Sequence, residues 1–198
     1  MMLVELTSTP TEDLPIEAFK AHLRLGTGFS DDGLQNEVLE SFLRAAIGAI
    51  EARIGKMMLS RRVSWTITRW AHSGSQPLPV APVTAIQSIS LMDRAGTETT
   101  VDAGSYDLER DTHRPRVFAY SSTLPVISNG GSATIIFDAG YGADWSAVPS
   151  ELRQAVLMLA AHYYENRRDT SGAGGLMPFG VMSLLDPHRN IRIFEARS

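Results

Sequence analysis

Leu34, Val38, Phe42, Ala46, Ile50 and Ile54 recur at every fourth position between Asp31 and about Met57, which sets them along one side of a long α-helix. Leu39, Leu43 and Ile47 widen that stripe, so the helix needs more than one neighbour to cover it. Ser30 and Asp31 are suited to cap its start, and Gly55 sits near its end. A second such segment, "VPSELRQAVLMLAAHYYENRRD", starts with Pro149 near the first turn and Glu151 at the positive helix end. It closes with Arg167 and Arg168 at the negative end. Leu152, Val156, Leu159 and Tyr163 form one of its stripes, and Leu157, Ala161 and Tyr164 a second. Neither helix can bury so wide a face alone, so the two are expected to pack on each other.

Between these helices, roughly Ser60 to Gly142, the pattern changes. "VSWTITRW" alternates with period two and runs into the loop signal "HSGSQPLP". "AIQSISLM", "TETTV", "SYDLE", "RVFAY" and "ATIIFDAGYG" are further short strand candidates bounded by Gly, Pro, Asn or Asp. Asn129-Gly130-Gly131 reads as a turn just before the last of them. Ahead of the long helix, "LPIEAFKAHLRL" has Pro15 at a first-turn position and Ile16, Phe19 and Leu23 at helical spacing. The expected fold class is α+β: a mainly helical domain of long antiparallel helices, with an inserted antiparallel β module and a C-terminal tail. The corresponding division is 1–59 for the N-terminal helical part, 60–142 for the β module, 143–170 for the returning helix, and 171–198 for a linker and tail.

With 198 residues and 43% apolar content the chain can bury a core. Its formal charge of −4 argues against a dedicated nucleic-acid binder, which normally carries a basic stripe. Of 18 basic residues only Lys20 and Lys56 are lysine, and arginine is the better side chain for bidentate interface pairs. Cysteine is absent, which removes disulfides, thiolate metal ligands and a thiol nucleophile. "MMLVELTSTP" lacks the basic start of a signal peptide, and Ala155 to Ala161 is far too short to span a bilayer. A soluble protein made and used in the cytoplasm is the expectation, with no membrane partner.

A search for chemistry finds little. His22, His72, His113, His162 and His188 are scattered, with no HExxH pair. His162 and Glu165 stand three apart on a helix, a spacing that di-metal carboxylate bundles use in reversed order, but they lack companions. Asp107, Glu109 and Asp111 alternate as hard-cation ligands can, yet Arg110 lies among them and no turn glycine follows, so a solvated strand face is the better reading. "GAGG" follows a helix instead of a strand and opens no phosphate-binding fingerprint. Trp65 and Trp70, five apart, face opposite sides of a regular strand and read as separate packing anchors. No catalytic residue, metal site or cofactor is expected.

The informative feature is the tail, "GGLMPFGVMSLLDPHRNIRIFEARS". Val181, Leu184 and Leu185 share a helical face, with Met182 beside it, and Pro187 limits the turn. So short a helix is marginal alone, so it either folds back on its own domain or docks on another chain with Phe179 as aromatic anchor. Beyond it, "NIRIFEAR" alternates like a short strand able to add to an edge.

The helix "VPSELRQAVLMLAAHYYENRRD", a short linker, and then "LMPFGVMSLLDPHR" together resemble the signature of the head–tail connector proteins of tailed phages and gene transfer agents. "DDGLQNEVLESFLRAAIGAIEARIGKMM", "WTITRW" and "LPVAPVTAIQSISLMDRAG" are similar to that family's first long helix and β insertion. Met177 precedes Pro178 where the family often has leucine. The resemblance implies a structural adaptor, not an enzyme, forming a ring of typically twelve copies beneath the capsid portal and extending the DNA channel toward the tail. The implied partners are the portal protein, further copies of the chain, and the next head-completion, stopper or tail protein. DNA would pass without specific binding, and the place would be the head–tail junction of a virion or phage-like particle assembled in the bacterial cytoplasm. Carried onto this chain, the portal or subunit interface would comprise Leu176, Met177, Pro178, Phe179, Val181, Leu184, Leu185 and Arg189. The alternative is a monomeric module whose β insertion recognises a ligand or surface, which would need an exposed apolar or aromatic patch there.

Overall fold

The computed structural model describes residues 2–25, 32–167 and 177–189. The chain divides into two compact units, one built from residues 1–9 and 59–143 and the other from 10–58 and 144–198.

The first unit is all β. Its strands are β1 (Met2–Glu5), β2 (Arg61–Ile67), β3 (Ser75–Pro77), β4 (Val83–Met92), β5 (Glu98–Thr100), β6 (Tyr106–Glu109), β7 (Arg116–Ala119) and β8 (Ser132–Ala139). They form a five-stranded sheet in the order β1-β2-β8-β4-β5 and a three-stranded sheet in the order β3-β7-β6. Every pairing is antiparallel. The alternation in "VSWTI" and "ATIIFDA" decides what is buried: Val63, Trp65 and Ile67 lie inward beside Ala133, Ile135 and Phe137, with Ile89 on the next strand. In the small sheet Tyr106, Leu108 and Val117 also point inward, and β6 meets β4, so the two sheets share one core. Burial raises the pKa of the Tyr106 phenol.

Two ends of the large sheet are fixed by local chemistry. Asp93 Oδ1 accepts the Ala95 and Thr97 amides at 2.8 and 2.9 Å in the turn between β4 and β5, where Gly96 takes a φ of 86°. At the other end Arg62 makes two bonds to the Asp138 carboxylate, at 2.9 and 3.3 Å, while Gln87 donates to the same carboxylate at 2.6 Å. The Asp138 carboxylate holds the Arg62 pKa above its usual value.

The second unit is helical: α1 (Ile16–His22), α2 (Asp32–Ile54), α3 (Ser150–Glu165) and α4 (Phe179–Leu185). Leu39, Leu43, Ala46, Ile50 and Ile54 of α2 pack with Leu152, Ala155, Val156 and Leu159 of α3, all buried. Phe19 of α1 is fully buried too. Phe42 meets Tyr164 edge to face, ring centroids 5.8 Å apart. Gly55, at φ 68°, returns its amide to the Glu51 carbonyl at 2.8 Å and ends α2 as a left-handed cap. Val38, read from the sequence as part of the buried stripe, is 47% exposed. A line of i+4 steps advances about 40° per step around a 3.6-residue helix, so Val38 has turned away from the face that Ala46 and Ile50 occupy.

The expected mainly helical connector domain is corrected by this architecture. Among the described residues there are four α-helices and eight strands in two antiparallel sheets, and only α2 and α3, of 23 and 16 residues, are long. Two of the strands, Met2–Glu5 and Ser75–Pro77, lie where the sequence pattern predicted none, and they pair with Val63–Thr66 of β2 and with Arg116–Phe118 of β7 respectively.

Candidate docking interface

Pro178 precedes α4 in extended conformation, and its carbonyl accepts the Met182 amide at 3.1 Å. The helix lies on α3. Gly180 permits that approach, since a Cβ there would stand 3.0 Å from Met158 Cε. Val181 and Leu185, one turn apart, are 0% exposed, and Arg53 Nη2 donates to Met182 Sδ at 3.6 Å. The helix stops at Leu185, and a 3₁₀ turn carrying Pro187 follows from Asp186 to His188. Arg189 pairs with Asp186 at 3.5 Å on the surface, a contact of little energetic weight.

The candidate interface residues thus fall into distinct groups. Val181 and Leu185 are buried within their own unit. Met177, Pro178 and Leu184 are half-buried, and Arg189 is exposed. Phe179 is 81% exposed, an unusual position for an aromatic side chain in a folded unit. Leu176 lies outside the described residues, as do the linker 169–175 and the "NIRIFEAR" strand candidate. Burying Val181 and Leu185 contributes roughly 1.5–3 kcal/mol each, which explains how so short a helix is held.

The residues weighed for chemistry have structural roles. Among the described residues no group of three or more His, Asp or Glu side chains could hold a metal ion, and no helix is long and apolar enough to cross a membrane. His162 Nδ1 lies 3.1 Å from Asn166 Nδ2, which also donates to the His162 carbonyl at the end of α3. Asp107 accepts the Tyr120 hydroxyl at 3.0 Å, and Glu109 takes Arg116 in two bonds at 2.6 and 3.0 Å. The Arg116 guanidinium holds the Glu109 carboxyl below its usual range. Asp111 accepts the His113 and Arg114 amides, both at 2.7 Å. Trp65 is buried in the sheet core, and Trp70 Nε1 donates to the Pro125 carbonyl at 2.7 Å. A cleft of about 410 Å³ beside Trp70 is lined also by Arg69, His72, Ser73, Leu124 and Val126.

One surface escaped the sequence reading. The outward side of the large sheet carries hydroxyl residues in register, with Thr66 opposite Thr134, Thr134 opposite Ser90, and Ser90 opposite Thr100. The signal was present in "VSWTI" and "SATII", whose non-apolar positions are all serine or threonine.

No family model matches the chain, and no curated protein matches it. Solved structures match over the whole of both chains. A chain in the neck of an empty GTA particle computed with C6 symmetry is 48% identical, with a TM-score of 0.89. One in the virion of a native gene transfer agent (GTA) particle is 47% identical, with a TM-score of 0.86. One in the neck of a native GTA particle computed with C12 symmetry is 43% identical, with a TM-score of 0.83.

Proposed function

The chain belongs to the family of neck and virion components of gene transfer agent particles, and on that premise we propose that it is a structural head–tail adaptor. In this reading copies of the chain close into a ring of twelve beneath the capsid portal and extend the DNA channel toward the tail. The observation that carries it is full-length identity of 43–48% to chains of necks with cyclic symmetry. The surface of α4 agrees with a part that assembles, because it presents an exposed aromatic side chain, Phe179.

Phe179 is the centre of the proposed portal-facing contact, with Met177, Pro178 and Leu184 around it. Exposed aromatic side chains that enter a partner's pocket are typical hot spots. Val181 and Leu185 act indirectly by holding α4 on α3. Removing the whole tail would uncover apolar surface on α3, so a point variant is the cleaner test. Phe179→Glu should lower incorporation into particles at least tenfold, corresponding to about 1.4 kcal/mol or more, while the melting temperature of the isolated chain stays the same. Normal incorporation of Phe179→Glu would remove α4 from the interface.

A further inference from the structure

The β unit carries two unlike outer surfaces back to back. On one side the open face of the five-stranded sheet presents Ser64, Thr66, Thr134 and Ser90, half-buried among one another, with Met2 and Val4 at its β1 border. Met2 is 62% exposed. Thr66 and Thr134 share a hydroxyl bond at 3.1 Å, and the charges at one end of the face neutralise each other as the Arg62–Asp138 pair. Depletion of charge is one property of an interface centre. Among the described residues β1 is the outer strand at this border and carries apolar side chains, where natural sheets usually place charge or proline.

On the other side the three-stranded sheet turns Phe118 and Tyr120 outward. Their rings meet edge to face at 5.8 Å, and Tyr120 is 63% exposed. Beside them Glu109 is paired with Arg116, and Asp107 accepts the Tyr120 hydroxyl, a bond that brings no counter-charge. A closed ring requires each copy to offer two different, mutually complementary surfaces, one for each neighbour. A hydroxyl-rich face on one side and an aromatic pair on the other are two such different surfaces.

We propose that the open face of the five-stranded sheet is a subunit contact, seated on the Phe118–Tyr120 surface of the next copy of this chain. The inference rests on the ring reading given above. Size favours a neighbour in a ring over a free-standing partner. Four strand spacings of roughly 4.8 Å and seven residues of roughly 3.3 Å bound the face at about 450 Å². A stable two-body complex buries about 800 Å² per partner. A contact of about half that area holds when each copy is gripped on both sides, as ring closure provides.

The chain has no cysteine, so engineered thiols report without background. Particles carrying Ser90→Cys with Tyr120→Cys, or Thr100→Cys with Tyr120→Cys, are treated with a short bismaleimide and run on a denaturing gel. The expected result is a ladder of covalent oligomers extending to ring size for at least one double variant, with each single variant remaining monomeric. Monomer alone, from particles that hold both double variants in normal amount with reactive thiols, overturns the proposal. Dimers from Ser90→Cys alone overturn it as well, because they report a two-fold contact of like faces. Absence of the wild-type chain from the neck of purified particles would instead defeat the ring reading beneath it. As a control on folding, Ser90→Glu should lower copies per particle at least tenfold at unchanged melting temperature, and normal incorporation counts against the proposal.

Discussion

Gly140 ends β8 with a φ of 135°, and its amide donates to the Pro82 carbonyl at 2.9 Å. A Cβ at this position would lie 2.6 Å from the Leu59 carbonyl carbon and oxygen and from Ser60 Cα. Both the backbone conformation and the space therefore demand glycine. Gly140→Ala is expected to destabilise the β unit by about 2–4 kcal/mol, read from urea unfolding; a loss below about 1 kcal/mol would show that the strands yield there. Asp111 sets a pH dependence. Its bonds from the His113 and Arg114 amides hold its carboxyl below the ordinary value of 3.8. A depressed folded-state pKa gives stability that is present above 3.8 and lost as pH falls through the folded value. Asp111→Asn keeps an oxygen acceptor but cannot ionise. It should show a lower urea midpoint at neutral pH and a shallower decline below about pH 4 than the wild type. Equal slopes would mean that Asp111 does not contribute.

At the scale of elements, α4 is the test of how short helices are held. Seven residues do not sustain a helix in water, so its order depends on Val181 and Leu185 against α3. Leu185→Ala removes about 2–5 kcal/mol of packing, enough to release the segment locally. Amide exchange over 181–185 should accelerate by at least tenfold while amides in α2 and α3 keep their protection. Uniform acceleration would mean instead that α4 is one cooperative unit with the rest. The same packing shows what the sequence could reveal. Wide apolar stripes marked α2 and α3, period-two alternation marked β2 because its two faces meet different environments, and bounding Gly, Pro, Asn or Asp residues marked β4 and β8. β1 carried no such mark, since Met2, Leu3, Val4 and Leu6 are all substantially exposed and nothing alternates. β3 was hidden by polarity: its inward residue is Gln76, buried only because its amide oxygen accepts the Ala71 amide at 2.7 Å and its nitrogen donates to the Pro77 carbonyl at 2.9 Å. In the tail, spacing set Val181, Leu184 and Leu185 on one face, but spacing does not say which neighbour covers a face. Only the fold shows Val181 and Leu185 turned to α3 and Phe179 left outside.

For the whole molecule, charge is the property that a channel reading puts at risk. Each chain carries a formal −4, so the proposed ring of twelve would carry about −48, the product of those two numbers. Duplex DNA moving through a ring must not be gripped, and grip comes from lysine and arginine neutralising phosphates with release of counterions. Among the described residues five arginines already face carboxylates: Arg44 with Glu40, Arg61 with Glu5, Arg62 with Asp138, Arg116 with Glu109 and Arg189 with Asp186. Such pairs add little stability when exposed, but they lower the positive potential that would otherwise hold DNA. The isolated chain, titrated against a fluorescent duplex at physiological salt, should show no saturation up to about 100 µM, the weak limit of ordinary non-specific binding. Lowering the salt should change this little, because net charge repels the duplex more strongly as screening weakens. Micromolar binding with a steep salt slope would place a phosphate-binding surface on the chain, and with it a role other than lining a passage.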